Sequence, residues 1–387
     1  MNIDIELQAV PRGSFEKINI EAGTTIEALY RQRAGELPYT VLAAKVDNEF
    51  EDLTYGLQRP CKVELLDMRT QAANLIYQYS LSLIYLKAVE DCLGRVRVEI
   101  QNSLNKGLYT EIKLSQPITA KQIRQIEKRM RQIVEMDIPF VKEVVSRDEG
   151  LRILEADGRK AQQRLLEEKL GIKQVKFYSL EGHRDFFYGL MVPSTGYIRY
   201  FELRKYRRGV LLRFPHPSQP DRIPEYEDEQ KMYQAFGEQT RWDQLLDVNY
   251  VADLNDKIES GGYRELVQLS EALHEKKIAE IADMIKKQHK RIILIAGPSS
   301  SGKTTFARRL CIQLKVNGLN PLYLGTDDYF VERENSPLDE NGEKDFENLR
   351  ALDIELFNRN MNDLLTGKTV DLPRFDFLTG HKVFRCV

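Results

Sequence analysis

Apolar and polar positions alternate twice near the start of the chain, first at Ile3, Ile5 and Leu7, then at Ile18 and Ile20. This is the period-two pattern of half-buried strands. Thr24 followed by Glu27 has the form of a capping box and predicts a short helix through Leu29. Residues 41–46 and 63–66 predict two more strands, and the order strand-strand-helix-strand-strand is that of a β-grasp domain. Residues 70–94 then read as one long helix closed by Gly94, with Leu75, Tyr79, Leu83, Leu86 and Val89 as its core face. Strand patterns at 95–100 and 108–114 precede a helix opening at Thr119. There Ile123, Ile126, Met130, Ile133 and Val134 recur at helical spacing. Strands return around 175–203. The run PHPSQPDRIPEYED at 215–228 predicts a boundary or linker. A connector helix follows from about Gly262, with Leu266, Leu269, Leu273, Ile278, Ile281 and Ile285 as one apolar stripe.

The aliphatic run at 292–296 predicts a buried parallel strand. It leads into GPSSSGKT, a complete G-x-x-x-x-G-K-[ST] loop, and 304–315 is helix-compatible through Phe306, Leu310 and Leu314. A loop between a strand and a helix N-terminus is where phosphate is held by backbone N–H groups and the helix dipole. Gly297, Pro298, Ser299, Ser300, Ser301, Gly302, Lys303, Thr304 and Thr305 are therefore the expected ATP-binding residues. Lys303 reaches the β- and γ-phosphates, and the Thr304 hydroxyl ligates Mg²⁺. Asn317-Gly318 stops the helix, and 321–325 predicts a short strand with Asp327 and Asp328 at its C-terminal end. A carboxylate there can take a proton from an attacking hydroxyl or hold Mg²⁺ through water; the plain alternative is an Asp pair capping a turn.

Composition narrows the picture less. At 387 residues two or three domains are expected. The balance of 57 Lys+Arg against 59 Asp+Glu gives no global argument for nucleic acid or membrane. The basic run KKQHKR at 286–291 fits a solvated helix end or a nucleotide contact. The four cysteines form no C-x-x-C pair, so neither a zinc ribbon nor a disulfide framework is suggested. The N-terminus is unlike a signal peptide and no apolar run approaches membrane-spanning length, so a cytoplasmic, reduced protein with no membrane partner is expected.

Three resemblances add to this. AGTTIEAL, AAKVDNEFEDL and CKVELLD resemble the TGS domain of threonyl-tRNA synthetases, although a generic ubiquitin-like adaptor fits the same fold. KGLYTEI, ITAKQIRQIEKRMRQIVEMDIPF and VPSTGYIRYFEL resemble the second N-terminal domain of those enzymes, also found in alanyl-tRNA synthetase. That domain removes mischarged amino acids with two His on its first helix and a later Cys and His. Here those positions fall on Tyr79, Leu83, Phe187 and Met191, so the resemblance implies a retained scaffold without the editing chemistry; His183, nearby, reads as a structural or surface residue. GPSSSGKTTFARRL, GTDDYFVER, DFENLRALDIELF and LPRFDFLTGHK resemble the uridine kinase and phosphoribulokinase family. This implies a nucleoside kinase acting with ATP and Mg²⁺. Asp327 would be the catalytic base beside Lys303, and Phe346, Glu347, Phe375 and His381 would contact the nucleoside.

The resulting expectation is a multidomain α+β and α/β chain. A TGS-like β-grasp domain spans 1–67, a synthetase editing-like α+β domain 68–215, a linker and connector helix 216–288, and a P-loop NTPase parallel α/β sheet 289–387. That sheet is expected to be incomplete, as in a truncated kinase. The expected function is phosphoryl transfer to a nucleoside. The alternative is a non-catalytic nucleotide- and RNA-binding regulatory protein with a degenerate or truncated kinase domain. A GTP switch is disfavoured because no N-K-x-D motif follows the loop.

Overall fold

The computed structural model describes residues 2–168, 171–298, 300–338, 342–346 and 348–386. They form two compact units, Met1–Asp256 and Lys257–Val387. The architecture is mixed α and β with several small sheets.

In the first unit, β1 (Asn2–Gln8) and β2 (Glu16–Glu21) pair antiparallel, placing Ile3 opposite Ile20 and Ile5 opposite Ile18. α1 (Ile26–Arg33), β3 (Val41–Val46), β4 (Glu49–Glu51) and β5 (Lys62–Asp67) complete a sheet of order β2-β1-β5-β3-β4, in which β1 runs parallel to β5. Ile5, Leu7, Ile26, Leu29, Val63 and Leu65 form its core. The expected capping box is displaced by one residue. Thr25 is the N-cap, accepting the Ala28 amide, while the Thr24 hydroxyl bonds back to the Glu21 carbonyl. Strand β4 was not expected, because three mostly exposed residues carry too little alternation to read.

α2 (Gln71–Leu93) begins at Thr70, whose side chain accepts the Ala73 amide, and ends at Gly94 with φ +77°. Its expected single core face is too narrow a description. Ala73, Ile76, Tyr77, Leu81, Leu83, Ile84, Tyr85 and Ala88 are all buried, whereas Leu75 is exposed. The helix is enclosed on several sides, so a 3.6-residue stripe cannot describe it. β6 (Val98–Leu104) and β7 (Gly107–Ile112) precede α3 (Ala120–Glu135). A full capping box between Thr119 and Gln122 opens α3, which buries Ile123, Ile126, Met130 and Ile133 as its spacing predicts. β8 (Val141–Ser146), α4 (Arg147–Ala156), α5 (Lys160–Glu168), β9 (Gln174–Leu180) and β10 (His183–Phe186) follow, with sheet order β10-β9-β8. β11 (Glu202–Tyr206) and β12 (Gly209–Arg213) join β7 and β6 in a four-stranded antiparallel sheet of order β11-β12-β7-β6.

The proline-rich run after β12 is held against this sheet. Buried Arg213 donates to Glu202 and to the Pro224 carbonyl, the Arg204 guanidinium stacks 3.7 Å above Tyr226, and the Tyr206 hydroxyl meets Asp228 at 2.6 Å. α6 (Gln230–Leu245) adds Tyr233 and Phe236 to the cluster of Tyr109, Tyr206 and Leu211, and α7 (Val251–Glu259) follows.

In the second unit, α8 (Tyr263–Lys287) packs Ile278, Ala282 and Ile285 against Leu310 and Leu314 of α9 (Lys303–Val316). Only the later half of the expected α8 stripe is buried; Leu269 is exposed. α10 (Ile354–Leu365) and the hairpin of β13 (Asp371–Asp376) with β14 (His381–Cys386) complete the unit. Among the described residues the parallel sheet expected around the phosphate loop is not formed. Residues 292–296 and 321–325 carry no strand, and Leu294 is 84% exposed. An aliphatic strand is buried by neighbours on both edges and both faces, and among the described residues no strand pairs with 292–296.

Candidate functional site

The second unit places most of the predicted nucleotide residues at the start of α9. Gly302 is the N-cap with φ +85°, a left-handed conformation suited to glycine, and Lys303 begins the helix. Thr304 and Thr305 are exposed in the first turn, where helical amides lack intrahelical partners. The Lys303 ammonium turns back onto the loop, donating to the carbonyls of Gly297 at 2.9 Å and Pro298 at 2.8 Å. A Cβ on Gly297 would lie 2.8 Å from the Ser301 hydroxyl, which would have to rotate away. Ser300, like Gly302, has positive φ, at 59°. Ser299 and Glu347 lie outside the described residues. The Lys303 ammonium, the exposed hydroxyls and the first-turn amides are a donor set that suits an anion such as a phosphate group.

The residues expected to contact a nucleoside are arranged for packing. Asp327 is exposed on the 3-10 turn Thr326–Tyr329. Asp328 is half-buried and accepts the Phe375 amide at 3.4 Å, which ties this turn to β13. Phe375 is buried against Phe330 and Phe377, with ring centroids 5.8 and 5.1 Å away, and Phe346 meets Phe330 edge-on at 6.4 Å. His381 pairs through Nδ1 with Glu332 at 2.7 Å in an exposed position. The Lys382 amide and then His381 hold the Glu332 carboxyl below its ordinary range. The structure thus gathers Phe346, Phe375 and Asp328 with Phe330, while α9 packs on α8.

In the first unit the four editing-position residues do come together. Tyr79 and Leu83 stand one turn apart on α2, and Phe187 and Met191 follow β10. The Tyr79 and Phe187 rings lie 6.0 Å apart, and Leu83 and Met191 are buried in the same core. Gly189 abuts Tyr79: a Cβ there would fall 2.3 Å from Cε2. The Ser80 hydroxyl donates to the Ile76 carbonyl and accepts the Val192 amide at 3.1 Å, tying this loop to α2. These four side chains include no His, no Cys and no carboxylate, the ligands zinc prefers. Nearby, His183 is largely buried and bonds through Nδ1 to Glu90; this bond and then Arg95 lower the Glu90 carboxyl despite its partial burial. Among the described residues no group of three His, Cys, Asp or Glu side chains is placed to hold a metal ion.

Sequence reasoning missed the cations on the outward side of α3 and along β11, because a balanced total charge hides local excess. The signal is present locally: residues 120–135 carry five Lys and Arg against two Glu, and residues 199–208 carry five against one.

A 169-residue stretch, 44% of this chain, is 27% identical to the threonine–tRNA ligase of Marinobacter nauticus, of which it covers 26%. Over 181 residues, 47% of the chain, it is 27% identical to the threonine–tRNA ligase of Symbiobacterium thermophilum, covering 28% of it. The corresponding enzyme of Paraburkholderia xenovorans is 28% identical over 169 residues. The chain spans about a quarter of the length of these curated relatives. No family model matches it. These relatives correct the functional expectation. They are aminoacyl-tRNA ligases, not nucleoside kinases, so phosphoryl transfer to a nucleoside is set aside. No helix among the described residues is long and apolar enough to cross a membrane.

Proposed function

We propose that this chain is an RNA-binding protein whose first unit holds tRNA-like RNA without hydrolysing an aminoacyl ester. In this reading residues 1–67 are a TGS-like module and 68–215 the synthetase-like module. The observation that carries it is the similarity to threonine–tRNA ligases over 169 to 181 residues. The apolar Tyr79, Leu83, Phe187 and Met191 support the second half of the reading, because ester hydrolysis needs a positioned base or an activated water. The 297–305 loop is proposed to bind ATP with Mg²⁺. Lys303 would exchange the Gly297 and Pro298 carbonyls for phosphate, and Thr304 would face the metal. Bound nucleotide would supply charge at this loop and regulate the RNA-binding protein.

The test is equilibrium binding of the full chain to unfractionated tRNA, with double-stranded DNA of equal charge as competitor. Binding in the micromolar range or tighter that DNA displaces at least tenfold less effectively than tRNA is expected. Equal displacement by DNA, or no binding, would overturn the reading. Calorimetry with Mg–ATP tests the loop separately: Lys303→Ala should abolish the heat of binding, and an unchanged isotherm would remove the loop from the proposal.

A further inference from the structure

We infer that the outward face of α3, with the edge strand β11 beside it, is the surface on which RNA phosphates bind. This rests on the RNA-binding reading and adds where and through which groups. At 3.6 residues per turn, Lys121, Arg124, Lys128 and Arg131 share one stripe, diametrically opposite the buried Ile123, Ile126, Met130 and Ile133. The stripe is about 15 Å long at 1.5 Å per residue. Lys121, Arg124 and Lys128 are exposed and have no carboxylate partner among the described residues. Glu127 lies to one side and is already engaged, by Arg131 and by the Leu203 amide at 3.3 Å. Glu135, on the last turn of α3, is the other carboxylate of the helix.

The strand continues this surface. Arg131 donates to the Phe201 carbonyl and its guanidinium sits 4.8 Å above the Phe201 ring, while Lys205 Nζ donates to the Ile118 carbonyl at 2.6 Å. β11 therefore runs alongside α3 with its direction reversed. Just before it, Arg199 is exposed beside Tyr200, which is 46% exposed. The Tyr77 hydroxyl fixes the backbone of Tyr200 on both sides, accepting its amide at 2.9 Å and donating to its carbonyl at 2.8 Å. A row of three cations without carboxylate partners, Lys121, Arg124 and Lys128, continued by the paired Arg131 and ending at an exposed aromatic whose backbone is held on both sides, is suited to a phosphate backbone with an unstacked base at one end. The whole chain carries a formal charge of −2, so this is a local concentration and not general basicity.

The test compares the full chain with the triple variant Lys121→Gln, Arg124→Gln, Lys128→Gln, by anisotropy of labelled unfractionated tRNA across a salt series. If each cation neutralises one phosphate, the log–log salt slope should fall by about 2–3 and affinity in 0.1 M salt by roughly one hundred- to five hundredfold. A control triple elsewhere on the surface, Arg12→Gln, Lys17→Gln, Arg152→Gln, should change affinity by less than about threefold, and unchanged circular-dichroism melts confirm that both variants fold. If wild type binds tRNA and the α3 variant binds equally well, the surface is wrong and the RNA reading stands. If wild type does not bind tRNA, the reading itself fails. Binding to anionic phosphatidylserine vesicles that the α3 variant loses, with no tRNA binding, would assign the face to membranes and overturn the inference.

Discussion

The two units treat similar aliphatic runs in opposite ways. In the first, Val41, Leu42, Ala43 and Ala44 of β3 are each no more than 1% exposed, because β5 pairs along the strand and its side chains pack into two cores, Leu42 and Ala43 in one, Val41 and Ala44 in the other. In the second, Ile292, Ile293 and Leu294 are 45%, 39% and 84% exposed and no strand pairs with them among the described residues. Local composition is nearly the same. What differs is the supply of neighbours, since a strand is stabilised by ladders and cross-strand packing and not by its own residues. An aliphatic run therefore specifies that a segment prefers burial, not that the rest of the molecule provides it.

Truncating a side chain on each side should show the largest contrast. Leu83→Ala removes a fully buried side chain from the main core and should cost about 2–5 kcal/mol. Leu294→Ala removes one already in water and should change stability by no more than about 0.5 kcal/mol. Trp242, the single tryptophan, lies in the first unit, so its fluorescence during urea unfolding reads Leu83→Ala, while far-ultraviolet circular dichroism, which also senses the helices of the second unit, reads Leu294→Ala. A Leu83→Ala midpoint equal to wild type would show that the apolar filling of the editing positions is not what holds α2 in place.

A smaller effect probes how tightly that region is filled. Gly189→Ala would put a methyl group 2.3 Å from the Tyr79 ring and should cost about 1–3 kcal/mol, the range for overpacking. In the double variant with Tyr79→Ala the ring is gone, so the two costs should fall short of additivity by at least about 1 kcal/mol. Strict additivity would mean that the ring moves aside freely and that Gly189 is there for another reason.

The same contrast explains what was legible in the sequence. α3 was readable to within a residue at its start, because Thr119 and Gln122 form a local cap and its apolar spacing matches the face it buries. α2 was readable in extent through Thr70 and Gly94, but not in its packing, because a helix enclosed on several sides has no single apolar stripe. The short strand β4 and the helices α4 to α7 carry weak patterns and went unread. In the candidate sites, Tyr79, Leu83, Phe187 and Met191 were identified as a group from the synthetase resemblance, and the structure does cluster them. The phosphate loop was readable as a motif, but its strand context was not realised, since that depends on distant neighbours. The basic face of α3 went unread because charge was weighed in total and in one contiguous run, KKQHKR, and not at helical spacing, whereas a phosphate senses charge within about one Debye length, ~10 Å at 0.1 M salt.

The smallest expected effect concerns pH and the clamp between α2 and α3. Asp91 accepts Lys87 Nζ and Arg129 Nε, each at 2.7 Å. Partial burial pushes its carboxyl up, but the bonds from Lys87 and Arg129 outweigh this and hold it below the ordinary range. In the unfolded chain it returns to about 3.9. A depressed folded value means that the unfolded state takes up the proton first, so the clamp's contribution is complete above that unfolded value. It is lost as pH falls through the folded one. The difference in stability between wild type and Asp91→Asn should thus be flat from pH 7 to about pH 5 and shrink below about pH 4. Water and salt screen the pair, so the plateau should not exceed about 1 kcal/mol. Arg129 keeps a second partner in Glu181 at 3.1 Å, which limits the cost of losing Asp91. Urea midpoints from Trp242 fluorescence at each pH measure this directly. A difference that grew toward acid would place Asp91 with carboxylates raised on folding, and the two cations would then not be what governs it.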